Sequence, residues 1–211
     1  KKRYPDVELG YTDLGSASTV VALEKMRLRP QADTAYYFAA SAVDAAKKDV
    51  VAPFKPIHFD KLPEVFREAE GRWFTIHTLN IAFLVNKKLV KNVPTGWADL
   101  LKPEYKNSVT YLDPRSAGVG QVLTLAAAHG NGGSVDNVRP GTDYLGKLHA
   151  AGNVQRVEGT TPYAKFIKGE IPIWIGYEND GLKAKHIDGM GDACEVVIPK
   201  EASVAAPYAI S

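Results

Sequence analysis

Tyr111-Leu-Asp-Pro-Arg-Ser-Ala-Gly-Val-Gly120 runs from an apolar, β-branched stretch straight into a helical one. Residues 109–112 read as a strand, and Asp113-Pro114 stops it. Residues 118–129 read as a helix with Val119, Val122, Leu123 and Ala126 on one face. The joint carries a fixed cation, Arg115, a hydroxyl, Ser116, and two small residues, Ala117 and Gly118. A helix start offers unpaired backbone N–H groups and the positive end of a dipole, so it suits an anion. An arginine beside it adds bidentate recognition of a carboxylate or phosphonate. The alternative is that Ser116 only caps the helix and Arg115 is solvated.

Outward from this joint, strands and helices alternate. Residues 7–12 alternate as a strand, and a helix follows over 19–28. Residues 34–38 form a second strand and 42–48 a short helix. Pro53, Pro56 and Pro63 mark a surface loop. Residues 73–76 and 81–85 read as two strands broken at 77–80, and 94–101 hold a short helix. Beyond the Asn131-Gly-Gly133 breaker come a helix at 142–151, a short strand at 154–157, and a helix at 162–167 capped by Thr160 or Thr161. Strands at 171–175, 194–198 and 204–210 complete the chain. This is an α/β pattern, for which mostly parallel sheets are expected. Ligands of open α/β sheets bind outside the carboxyl ends of strands. The loops at 15–18, 38–41, 113–118 and 177–180 fall there.

The chain has 211 residues, 45% hydrophobic and 24% charged, with a net charge of +2. That is a globular composition, and it gives no support to a nucleic-acid or membrane-surface role. The single cysteine, Cys194, forbids an internal disulfide and reads as a buried small hydrophobe. The five histidines lack metal-ligand spacing, so no metal is expected. Gly118-Val-Gly120 begins like a dinucleotide fingerprint but lacks its third glycine, and no phosphate-cradling loop is present, so no cofactor is expected. Tyr36 and Tyr37 are neighbours in a strand and point to opposite faces, so they cannot share a site. Tyr177-Glu-Asn-Asp180 follows a strongly apolar strand. Two carboxylates and a phenol at a strand exit suit an ammonium group, unless they are only a solvated turn.

Four segments together resemble the extracellular solute-binding proteins of ABC transporters, family 1: residues 93–106 around Trp97-Ala-Asp-Leu-Leu101, 111–118, 168–177, and 196–204. The resemblance spans nearly the whole chain. It implies a type II binding protein with two α/β lobes joined by crossing strands, near residues 81–85 and 196–206. Lobe one would be residues 1–83, incomplete, lobe two 84–195, and 196–211 the return strand into lobe one. Family members carry further segments at both ends. The expectation is that another chain supplies these or that the chain is excised from a longer protein, since it stops within a strand.

The same resemblance implies a periplasmic, non-enzymatic protein that delivers a small-molecule ligand to a membrane permease. The iron binders of the family carry a tyrosine pair near Tyr177, which Glu178 interrupts here. Arg115, Ser116 and Gly118 would hold an anionic end and Tyr177, Glu178 and Asp180 an amine. Ser16, Ser18, Phe38 and Thr78 would close over from lobe one. The ligand expected is a small zwitterion, a GABA-like amino acid or an aminoalkylphosphonate. Polyamine and ferric-iron binding are the alternatives within the family. A transferase on the same two-lobed architecture, using Glu178 with Lys183 or Tyr163, is the alternative outside it.

Overall fold

A computed structural model describes residues 4–157 and 162–211. In chain order its helices and strands are α1 (Ser16–Lys25), β1 (Tyr36–Phe38), α2 (Ala39–Lys47), β2 (Phe74–Asn86), β3 (Val109–Thr110), α3 (Gly118–Gly130), α4 (Arg139–Ala150), α5 (Tyr163–Ile167), β4 (Ile173–Tyr177), α6 (Glu178–His186), β5 (Cys194–Val197) and β6 (Ala205–Ile210). The strands follow the order β1-β6-β2-β4-β3, with β5 also paired to β2.

β2 organises the molecule. Its first half pairs with β6, from Phe74 opposite Ile210 to Asn80 opposite Ala205. Its second half pairs with β4, Ile81 opposite Tyr177, and with β5, Phe83 opposite Val197. The two halves differ in sequence character for a physical reason. Residues 81–86 are buried on both faces, as a strand covered by two helical layers must be. Ile81, Phe83 and Val85 enter one core with Trp97, Leu123, Tyr144 and Ile175. Ala82 and Leu84 enter another with Phe166, Trp174 and Cys194. A third core of Val20, Tyr37, Ala42, Ala45 and Ala209 packs α1 and α2 on β1 and β6.

Several expectations change. The break expected at 77–80 is absent, because β2 is continuous with only a register shift between Thr75 and His77. The sheets are not mostly parallel: β2 runs opposite to β4, β5 and β6, and β1 runs opposite to β6. The β3–β4 ladder and a single Val109–Val154 bridge run parallel. One long strand threaded in reverse through the sheet accounts for three of those antiparallel pairings. Residues 7–12 form no strand; Leu9 and Tyr11 stay exposed beside the cleft described below. Residues 154–157 contribute only that bridge at Val154. The proposed caps Thr160 and Thr161 lie outside the described residues.

Trp97 shows why its segment reads so distinctively. Its indole meets Phe83 and Tyr144 edge-on at 5.1 and 5.6 Å, a favoured aromatic geometry. Its Nε1 donates to the Ala202 carbonyl at 2.9 Å, and its own carbonyl accepts from the Tyr144 hydroxyl at 2.6 Å. Asp99 accepts from the Thr95 N–H and hydroxyl and pairs with Lys102 at 2.7 Å, which holds its carboxyl well below the usual range.

Candidate functional site

A cleft of about 1980 Å³ opens between the α1–β1 region on one side and the starts of α3 and α6 on the other. Ser16 and Ser18 at the start of α1, Arg115, Ser116 and Gly118 at the start of α3, and Tyr177 and Asp180 around the β4–α6 junction all line it. Pockets that enclose a small solute are commonly about 300–1,000 Å³, so the walls here stand apart over most of their length.

They meet at Gly118. A Cβ there would lie 3.2 Å from the Ser16 Oγ, 3.3 Å from the Phe38 Cβ and 3.5 Å from the Tyr208 hydroxyl. The Ser16 Oγ accepts the Phe38 N–H at 3.0 Å, which ties the start of α1 to β1. No side chain caps α3, so the N–H groups of its first turn open where Gly118 and Val119 line the cleft. Ser116 is therefore not the helix cap; its Oγ donates weakly to the Asp113 carbonyl at 3.4 Å.

Arg115 lines the cleft but is not unpaired. Its Nε donates to both oxygens of Asp113 at 3.0 Å, and the side chain is 88% exposed. The guanidinium pulls the Asp113 carboxyl down to about 2. The joint expected to hold an anion therefore has a locally neutralised arginine beside an uncapped helix start.

The opposite charge is better defined. Asp180 makes no hydrogen bond or ion pair among the described residues. Burial lifts its carboxyl to about 6, opposed by the Lys183 charge and reinforced by that of Glu178. Its charge is felt by Tyr36, Tyr177 and Tyr208, whose hydroxyls are all pushed up, chiefly by burial; Tyr36 reaches about 12. Tyr208 is the hub of these rings. It stacks on Tyr36 at 5.2 Å and on His77 at 5.5 Å, and meets Tyr177 edge-on at 5.8 Å with their hydroxyls 3.2 Å apart. The Tyr36 hydroxyl also bonds His77 Nε2 at 2.8 Å. A half-buried, unpaired carboxylate lining the same cleft as Tyr36, Tyr177 and Tyr208 has the chemistry to hold an ammonium group.

Three expected residues stand elsewhere. Thr78 is exposed on the far face of β2, and His77 faces Tyr208 instead. The Thr75/His77 register shift resets which residues face inward. Phe38 packs on Tyr208 and behind Gly118 rather than lining the cleft. Glu178 turns to β2, where it accepts the backbone N–H of Asn80 and the Asn80 Nδ2 at 2.9 Å. Tyr36, His77 and Tyr208 were missed. Alternation puts Tyr36 and Phe38 on one face of β1, but only the pairing of Phe38 with Tyr208 brings the third ring to them. Tyr37 points the other way, 1% exposed, with its hydroxyl on Ser211 Oγ at 2.7 Å, so the two tyrosines do face apart. Cys194 is fully buried, with its thiol pushed up by burial.

Residues 32–211 match the family described as bacterial extracellular solute-binding protein. An uncharacterised protein of Haemophilus influenzae is 30% identical over 210 residues, covering 93% of this chain and 57% of that protein. A Salmonella typhimurium protein, named as a candidate 2-aminoethylphosphonate-binding periplasmic protein, is 31% identical over 171 residues, 81% of this chain and 48% of that one. The chain thus spans about half the length of the curated relatives it matches. Among solved structures, the periplasmic binding protein P5PA superposes with a TM-score of 0.82 at 23% identity, over 100% of this chain and 67% of that one. This likeness shows the two-lobed periplasmic-binding fold.

Proposed function

The chain belongs to the bacterial extracellular solute-binding protein family, and from that premise we propose that it captures a small amine-containing anion between two lobes for an ABC importer. The observation that carries the ligand reading is Asp180, half-buried in the cleft without a partner among the described residues, in a wall it shares with Tyr36, Tyr177 and Tyr208. The uncapped start of α3, with Ser116 and Arg115, would take the anionic end. Gly118 packs close to Tyr208, which supports a compact solute. An aminoalkylphosphonate carries this pair of charges and agrees with the name of the Salmonella relative; a GABA-like amino acid has the same charge pattern.

In this reading the lobes divide where β2 exchanges β6 for β4 and β5, at Asn80 and Ile81. The return crossing is the segment before β6, where Ile81 N donates to the Val204 carbonyl at 3.3 Å and Ser203 Oγ to the Ile81 carbonyl at 2.8 Å. Ligand bridging both walls favours the closed arrangement, and a membrane permease reads that shape. No bond is made or broken. The location is periplasmic, as for the named relatives.

One observation favours a second reading. The Arg115–Asp113 pairing neutralises the arginine beside α3, while Asp180 has no ion-pair partner among the described residues, which suits a cation with no anionic end, such as a polyamine. A thermal-shift series separates the two, because a ligand that binds only the native state raises the melting temperature by mass action. A shift with 2-aminoethylphosphonate and none with putrescine supports the zwitterion. A shift with putrescine alone establishes the second reading, and no shift with any amine refutes both.

A further inference from the structure

We infer that Glu178 and Asn80 form a latch across the hinge, and that Glu178 is a positioning residue for lobe closure rather than a ligand contact. The inference rests on the lobe-closure reading above and adds to it the pair that sets the closure equilibrium.

The register of the sheet creates the latch. Ile81 is the partner of Tyr177 in the β2–β4 ladder, so the next antiparallel rung would join Asn80 to Glu178. That rung cannot form, because the chain leaves β4 at Tyr177 and Glu178 opens α6. The Asn80 N–H faces the vacated rung, on the side of β2 away from β6. The Glu178 carboxylate supplies the acceptor, and its second oxygen takes the Asn80 Nδ2 at 2.9 Å. A side chain thus replaces a main-chain bond where the ladder ends. The carboxylate is also placed in the first turn of α6, where the helix dipole favours negative charge.

The position of this pair gives it leverage. Asn80 is the last β2 residue paired to β6, and Ile81 is the first paired to β4. Glu178 is bonded in sequence to Tyr177 and lies two residues before Asp180. The latch therefore joins the strand of one lobe to the helix start of the other, next to the ammonium pocket. It is made in an arrangement where the lobes touch at Gly118. Hydrogen bonds to a charged acceptor are the stronger kind, and any contact made only in one arrangement shifts the population toward it.

The test uses spin labels at Lys47→Cys and Lys147→Cys, both exposed and one on each side of the cleft; native Cys194 is buried and stays unlabelled. Distance distributions by double electron–electron resonance are read without ligand, and affinity for 2-aminoethylphosphonate by calorimetry. Glu178→Ala and Asn80→Ala are expected to populate longer distances without ligand and to weaken binding about ten-fold. Glu178→Gln keeps an acceptor for the Asn80 N–H and can pair with its flipped amide, so it is expected to stay near the parent distribution. If Glu178→Ala fails to fold, Glu178→Leu, which keeps the bulk of the side chain without an acceptor, takes its place, because Asn80→Ala removes only the Nδ2 bond and keeps the N–H one. Distributions unchanged in both alanine variants overturn the latch. A loss of affinity with unchanged distances also overturns it and makes Glu178 a ligand contact. Longer distances in a protein that shows no heat with 2-aminoethylphosphonate uphold the latch and refute the ligand reading.

Discussion

In the proposed function Asp180 holds the amine, and its carboxyl has a testable signature. Its carboxyl is raised from 3.8 to about 6 in the folded protein, so the folded state binds this proton more tightly than the unfolded chain. The stability this contributes is complete below about pH 4 and is lost as the pH rises through about 6. Asp180→Asn removes that penalty. Above pH 6 the variant should melt at a higher temperature than the parent, with the gap closing as the pH falls toward 4. The same variant should lose amine binding, trading function for stability. Melting curves from pH 4 to 8 that run parallel for the two proteins would contradict the half-buried, unpaired state of Asp180. The residues around it were unevenly legible. Tyr177 and Asp180 were readable as the polar exit of an apolar strand. Glu178 read as their companion but turns to Asn80, because successive residues of a helix point about 100° apart. Tyr36 and Tyr208 are 172 positions apart in sequence, and only strand pairing joins them.

At the scale of elements, α3 is set by small residues on two sides. A Cβ at Gly120 would fall 2.4 Å from the Leu112 carbonyl, so α3 begins hard against the exit of β3. A Cβ at Gly141 would fall 2.3 Å from the Thr124 carbonyl and 2.8 Å from the Ala128 N, where α4 crosses α3 backbone to backbone. Gly141→Ala forces these helices apart and should cost about 1–3 kcal/mol. That corresponds to a melting temperature lower by very roughly 2–12 °C for a chain of this size, measured by circular dichroism. A melting temperature within one degree of the parent (about 1 °C) would refute the close approach. Most elements were visible from periodicity and breakers, because apolar spacing and chain punctuation are local properties. The direction of strands was not. Nothing local in residues 73–86 tells that one strand changes neighbours midway, since alternating and continuous apolar patterns are what a half-covered and a fully covered segment each require. Residues 7–12 alternate like a strand yet have no pairing neighbour among the described residues.

For the whole molecule, the proposed function requires a cleft with two populations, its walls joined by β2 and the segment before β6 and biased by ligand and by the Glu178–Asn80 pair. Small-angle scattering should show a smaller radius of gyration with saturating 2-aminoethylphosphonate than without it; an unchanged radius would argue against closure. The two-lobed architecture was legible through four segments of family resemblance, one of them explained by the packing of Trp97. The point at which β2 exchanges β6 for β4 and β5 became visible only in the register of the sheet. The most direct measurement of the central claim is a calorimetric titration of the protein with 2-aminoethylphosphonate and with ethylphosphonate, which lacks the amine, repeated on Asp180→Asn. The account predicts one-to-one binding of the amine compound to the parent protein, and binding weaker by a hundred-fold or more (about 3 kcal/mol) for either the deaminated compound or the variant. Equal affinity for the two compounds, or full affinity in the variant, would contradict it.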